Sequence, residues 1–406
     1  MSAMAETLPF FTSGDDELLG AQRRADPLGV QPVWSALGHE VVPHVTETSR
    51  QAAGFEILLI GIWLYHRYVA DAANRGARIE EFFQLIEQAF AWSVFLEDPE
   101  EWKLPGNRGL VARQGDPQVS LSHPILDSPL SSGLWGLYRT AATSAGLLEL
   151  DTVLRLSDES QRIFDANPGF SDARLLNAID RVFKNGAIAI KTFHTLRSEL
   201  ASVYRRLPHR SLLRASLIKP AEATGELLYG HRREYDHLNT ATGYRRFLST
   251  ALKRFPKTTS FDAIRRCEDY ISVLDSVFRL LFVHSGKPVE EASRAIRLPL
   301  DHLQSAKAAF QQVLSRPSLS ATAKKRADMI WHETQTSDAP EFLRSLIRTH
   351  HRVCEERRST YWIILDGNTL RPLVEVAQYP WGANFDDAWI NDYYFRTLLA
   401  LYTELR

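Results

Sequence analysis

The sequence predicts a mainly α-helical protein, a multi-helix bundle carrying a small winged-helix-like unit and a C-terminal β-hairpin. Three observations predict it. A dense apolar run between Thr46 and Val69 is too uniform to be a surface stripe, amphipathic stretches separated by prolines fill the chain beyond Ser171, and strand signals occur in only two short places.

The apolar run is expected to be the central core helix. Thr48 followed by Gln51 has the capping-box spacing, which places the helix start there. From Phe55 to Tyr65 apolar residues surround the cylinder, so the helix must be buried on most faces. A membrane span needs about 20 apolar residues. Arg50 and Glu56 close this run at one end and His66-Arg67 at the other, so a buried helix of a soluble protein is expected.

Ahead of it, the first 45 residues read as an irregular lead-in, with a turn at Asp26-Pro27-Leu28-Gly29 and Trp34 as an anchor. Behind it, Ile79 to Leu96 forms a second helix. Its buried side uses Phe82, Phe83, Leu85, Ile86, Phe90, Trp92 and Phe95, and its only charges are Glu80, Glu81 and Glu87, which predicts an acidic outer face. From Asp98 to Ser132 the chain is rich in Pro, Gly and Ser and has no period, which predicts a long loop of the kind that is usually functional or mobile.

The winged-helix-like unit follows. A helix opens at Leu134-Trp135-Gly136-Leu137, Leu147 to Leu156 supplies two very short strands about Asp151-Thr152, and Ser157-Asp158-Glu159-Ser160 caps the next helix. Helices then alternate with Pro208, Pro220, Pro256, Pro288, Pro299, Pro317 and Pro340. Asp366-Gly367-Asn368 between Tyr361 to Leu365 and Leu370 to Val376 is a hairpin signal, and a closing helix from Asp387 to Leu405 is expected to dock back on the core. The expected divisions are 1–130, 131–170, 171–335 and 336–406.

A chain of 406 residues with 44% hydrophobic and 24% charged residues is an ordinary globular one. Cys267 and Cys354 stand apart, with no Cys-x-x-Cys or Cys/His cluster, so neither a disulfide scaffold nor a zinc site is expected. The first residues have no basic and apolar leader pattern, and a cytoplasmic location is expected.

Net charge is −1, but it is unevenly spread: Lys191 to Arg266 holds sixteen Lys and Arg against six Asp and Glu. The candidate phosphate contacts are Arg205, Arg206, Arg210, Arg232, Arg233, Arg245, Arg246, Lys253 and Arg254, interleaved with Tyr204, Tyr229, Tyr235, Tyr244 and Phe255 as faces for unpaired bases. Arg139 and Arg155 of the winged-helix-like unit are further candidates, with Arg162 beside them. The competing reading pairs the arginines with acids such as those between Glu80 and Glu101.

Catalytic motifs are weaker. Five pairs match the Arg-x(4 to 6)-His spacing of HEPN-class ribonucleases: Arg232 with His237, Arg279 with His284, Arg297 with His302, Arg326 with His332, and Arg344 with His350 or His351. Arg344 and His350 carry the alternative, in which the imidazole moves a proton at a phosphate and the guanidinium stabilises its charge. Asp366 and Glu375 have a nuclease-like separation, but Ala377 stands where that chemistry needs Lys. No phosphate loop, zinc-spaced histidine pair, serine nucleophile elbow or dinucleotide loop is found, so no cofactor or metal is expected.

At Asp26-Pro27-Leu28-Gly29, Val42-Pro43-His44-Val45-Thr46, Trp135-Gly136-Leu137-Tyr138, Gly146-Leu147-Leu148 and His350 to Leu365 the chain resembles uncharacterised bacterial proteins of phage-defence and DNA-processing loci. The resemblance implies a cytoplasmic component working beside other proteins and carries over no site residue. The function expected is a non-enzymatic nucleic-acid-associated subunit, DNA ahead of RNA, without membrane contact. The alternatives are the ribonuclease and a pure protein scaffold.

Overall fold

A computed structural model describes residues 26–70, 78–219, 223–230, 241–374, 385, 389 and 391–406. The protein is about 66% helix, with strand limited to short antiparallel pairs among the described residues, so the mainly α expectation is borne out. The chain forms two compact units, each built from discontinuous segments: residues 38–238 with 392–406, and residues 1–37 with 239–391. This differs from the four consecutive divisions expected, because a sequence read in order does not show which late segment returns to an early one.

In the first, the central-helix unit, Ala52–Ala70 is the core helix, with Phe55, Ile57, Leu58, Leu59, Ile60, Ile62 and Leu64 all at 0% exposure. Helices Ile79–Phe95, Leu134–Ser144, His194–Arg206 and Phe395–Leu405 pack on it. Two glycines let rings press on its backbone: a Cβ at Gly54 would lie 2.3 Å from Tyr138 Cζ and one at Gly61 2.5 Å from Phe83 Cδ2.

The expected capping box is not used. The helix begins at Ala52, and its first N–H groups are bound by Glu404 of the closing helix, Ala52 N–H at 2.7 Å and Ala53 N–H at 3.3 Å. Thr48 instead lies within hydrogen-bonding distance of the Thr46 hydroxyl, and Gln51 donates to the Lys103 carbonyl. A carboxylate at the positive helix end does the capping, from 352 residues away.

The expected acidic outer face of the second helix is also corrected. In Ile79–Phe95 every residue from Phe82 to Phe95 except Gln84 is buried, Glu87 included. Glu87 accepts the Leu134 N–H at 2.9 Å, which anchors the next helix, and burial pushes its carboxyl up to about 7 against that hydrogen bond. Gln88 donates to the Ser120 carbonyl at 2.8 Å and accepts its N–H at 3.3 Å. Its amide thus completes the edge of a strand pair, Gln118–Ser120 with Ala187–Ala189, that the sequence reading omits. Three-residue strands so far apart leave no periodic signal.

Helix Leu134–Ser144, strands Leu148–Leu150 and Leu154–Leu156, and helix Asp158–Ala166 follow as expected. Ser157 caps the last of these by accepting the Ser160 N–H. Asp98 to Ser132 is less loop-like than expected, holding helices Asn107–Ala112 and Pro129–Ser132 besides its strand.

The second, long-helix unit is organised on Thr259–Val283, whose Ile264, Ile271, Leu274, Val277 and Phe278 are fully buried. Leu300–Leu314 and Ala339–Arg357 pack along it. Strands Ile363–Asp366 and Thr369–Pro372 turn at Gly367, whose φ of +63° suits glycine. Leu370 exchanges backbone hydrogen bonds with the turn at Gly286 and Lys287, which docks the hairpin. No helix among the described residues is long and apolar enough to cross a membrane.

Candidate nucleic-acid interface

The two units share the basic segment, and its candidates meet different fates in them. In the central-helix unit, His194–Arg206 packs on Ile79–Phe95 and places Arg205 between Glu101 and Glu97. Its Nε donates to Glu101 at 2.7 Å and its Nη1 to Glu97 at 2.8 Å. The Glu101 hydrogen bond, and then Glu97, hold this guanidinium's pKa above the ordinary arginine value. Arg205 therefore follows the competing reading.

Arg206 and Arg210 are exposed in the same unit, and neither makes an ion pair among the described residues. Arg206 donates to the Ser202 carbonyl one helical turn back. Arg155 is tied to Glu149 at 2.8 Å and lies 3.5 Å from Asp158, while the exposed Arg139 guanidinium lies 5.3 Å from the centre of the Trp135 ring.

In the long-helix unit, Ala241–Arg254 lays Tyr244, Phe247, Leu248 and Ala251 inward. Arg245 bonds Asp269 at 3.2 Å. Just beyond, Arg265 and Arg266 both engage Asp262, at 2.7 and 2.5 Å. Arg246 and Lys253 are exposed seven residues apart, which returns them to one face about 10 Å along the helix. Exposed Lys257 follows the helix end, and Arg254 is exposed in its last turn. Among the described residues no ion pair engages Arg246, Lys253 or Lys257. Arg232, Arg233, His237 and Tyr235 lie outside the described residues.

The expected base-stacking role of Tyr204 and Tyr244 is corrected. Tyr204 is buried, stacked on Trp102 at 5.5 Å, and donates its hydroxyl to the Glu101 carbonyl. Tyr244 is buried and stacked on Trp389 at 5.4 Å. Both rings are spent on packing, because a tyrosine on the inner side of an amphipathic helix gains more from burial than it can from an exposed face.

The ribonuclease pair does not assemble. Arg344 and His350, six residues apart on Ala339–Arg357, point roughly 120° apart around the helix. Arg344 bonds Glu290 and Asn368. His350 is fully buried: Nε2 accepts the Trp362 N–H at 2.8 Å, so Nδ1 carries the proton and donates to the Pro27 carbonyl at 2.9 Å. Burial lowers its pKa to about 4. A neutral imidazole with both nitrogens engaged organises the Asp26-Pro27 turn and has no free edge for a substrate proton. Its neighbour His351 bonds the Ile363 carbonyl.

Of the other spaced pairs, Arg279 is buried against Asp275 and Arg326 bonds Glu356. Asp366 is exposed on the hairpin, while Glu375 and Ala377 lie outside the described residues. No group of three His, Cys, Asp or Glu among the described residues is placed to hold a metal ion.

Sequence reasoning missed the buried pair of Glu56 and His209. Glu56, expected to close the apolar run, has 0% exposure, and its carboxylate meets His209 Nδ1 at 2.6 Å. The ring stacks on Phe164 at 3.7 Å and donates from Nε2 to the Asn167 carbonyl. Burial alone would lower the His209 pKa, but the Glu56 hydrogen bond and charge outweigh it and raise it. The available signal was a lone acid inside an otherwise apolar helix. Searches of protein-family models, curated proteins and solved structures give no match to this chain.

Proposed function

We propose that the protein is a non-catalytic subunit of a bacterial multi-protein defence system, cytoplasmic, and that it holds nucleic acid by its phosphates. The observation that supports this reading most is the solvent face of Ala241–Arg254, where Arg246 and Lys253, continued by Lys257, stand exposed with no ion pair among the described residues. Cations so placed recognise the charge of a backbone and not the identity of a base. With Tyr204 and Tyr244 buried, duplex DNA fits this chemistry better than an unpaired strand that needs stacking platforms.

Titration of labelled duplex and single-stranded oligonucleotides at several salt concentrations tests it. Wild type should bind duplex with little sequence preference. Joint reversal of Arg246, Lys253 and Lys257 to Glu should weaken binding and flatten the salt dependence, by about 0.9 in log K against log salt for each phosphate no longer neutralised. No duplex binding at low salt would overturn the reading. That result would favour the protein scaffold, which the engagement of Arg205 with Glu97 and Glu101 supports.

A further inference from the structure

We propose that a cleft between residues 104–113 and residues 124–127 of the central-helix unit binds a small organic anion, with an oxyanion head on Arg113 and an apolar body against Ile125 and Leu126. This is independent of the nucleic-acid reading. The cleft lies inside the Asp98 to Ser132 segment, which the sequence singles out by its length and lack of period and to which phosphate binding by Arg246 and Lys253 assigns no role.

Its walls are fixed before any ligand arrives. Trp102 is 2% exposed, donates from its indole to the Pro105 carbonyl at 2.9 Å and stacks on Tyr204, which anchors the first wall. Ile125, 6% exposed, anchors the second. The walls meet backbone to backbone at Gly109, where a Cβ would stand 2.0 Å from the Ile125 carbonyl oxygen, so only glycine lets them close. Arg113 Nη1 donates to the Pro124 carbonyl and ties the two walls together.

The space is about 520 Å³ and opens to solvent. That matches the range of roughly 300 to 1,000 Å³ in which small-molecule sites fall. Arg108, Arg113 and Asp127 are the charged residues that line it. Arg113 is the anchor. Its bond to Pro124 orients the planar group, and among the described residues it has no carboxylate partner, so further N–H donors of its fork can meet a carboxylate or phosphate. Leu104, Ile125 and Leu126 supply apolar surface for the ligand's body.

Calorimetric titration of the full chain with phenyl phosphate, benzoate, inorganic phosphate and neutral benzyl alcohol tests this. Saturable binding of phenyl phosphate or benzoate, tighter than that of benzyl alcohol, is expected. The stronger of the two identifies the head group, and weaker binding of inorganic phosphate shows that the body contributes. Arg113→Gln should weaken the preferred anion at least about ten-fold, the loss expected for one charge-assisted hydrogen bond. Because Arg113 also ties the walls, Arg108→Gln, at an exposed position, is measured beside it with melting curves for both. If Arg113→Gln melts early, Arg108→Gln decides, and a loss there supports the site. Absence of saturable binding at millimolar anion, equal binding of benzyl alcohol, or unchanged affinity in both folded variants would overturn the proposal.

Discussion

Arg205 and Arg246 look alike in the sequence, each the member of a basic pair on an amphipathic helix, yet the fold gives them opposite surroundings. Arg205 is 41% exposed and forked between two carboxylates that come from more than 100 residues earlier, whereas Arg246 faces solvent with no ion pair among the described residues. The difference teaches that a charge-rich segment is not a surface. What a cation can do is set by which acids the fold carries to it, and only the residue left over can answer to an external phosphate.

If burial and partnering decide the role of a charge, the size of a variant's effect on stability should follow burial. The largest effect is expected at the buried pair. His209→Ala leaves the Glu56 carboxylate buried without its partner, and unfolding in denaturant should show a loss of about 3 to 5 kcal/mol. A loss under about 1 kcal/mol would mean that the core tolerates an unpaired charge, and the comparison would fail.

Next comes Glu87, whose carboxyl is raised from 4.5 to about 7 by burial. Between those pH values the unfolded chain releases a proton that the folded chain keeps, so stability falls as pH rises through the window. Glu87→Gln retains an acceptor for the Leu134 N–H and removes the titration. Relative to wild type it should gain on the order of 3 kcal/mol between pH 4.5 and pH 8, read from denaturant midpoints at both. Parallel pH profiles for the two proteins would count against the burial argument.

The smallest effects are expected at Arg205 and Arg246. Arg205→Glu should cost roughly 1 kcal/mol, the scale of a part-exposed pair, and leave nucleic-acid affinity unchanged. Arg246→Glu should change stability by less than about 0.5 kcal/mol and weaken duplex binding. Melting curves and titrations on the same two proteins would expose a reversal of these roles.

Much of the fold was legible because it rests on local pattern. The apolar run predicted the core helix, the spacing of prolines predicted the joints, and Asp366-Gly367-Asn368 predicted the hairpin turn. The candidate site was legible only as composition. Sequence showed that cations were in excess between Lys191 and Arg266, but Glu97, Glu101 and Asp269, which neutralise part of that excess, lie outside the segment. Tyr204 and Tyr244 gave no sign that their rings would be consumed by Trp102 and Trp389.

By itself, then, the sequence determined what periodicity and backbone chemistry dictate: helix, turn, apolar face and the absence of familiar catalytic motifs. Tertiary structure alone decided the partners. It brought Glu404 to cap the helix at Ala52, Gln88 to finish a strand edge, and His209 to meet Glu56, each across a long stretch of chain. The physical reason is range. Helix and turn preferences are settled within a few residues, whereas a hydrogen bond or ion pair between distant side chains exists only after apolar burial has brought their backbones together.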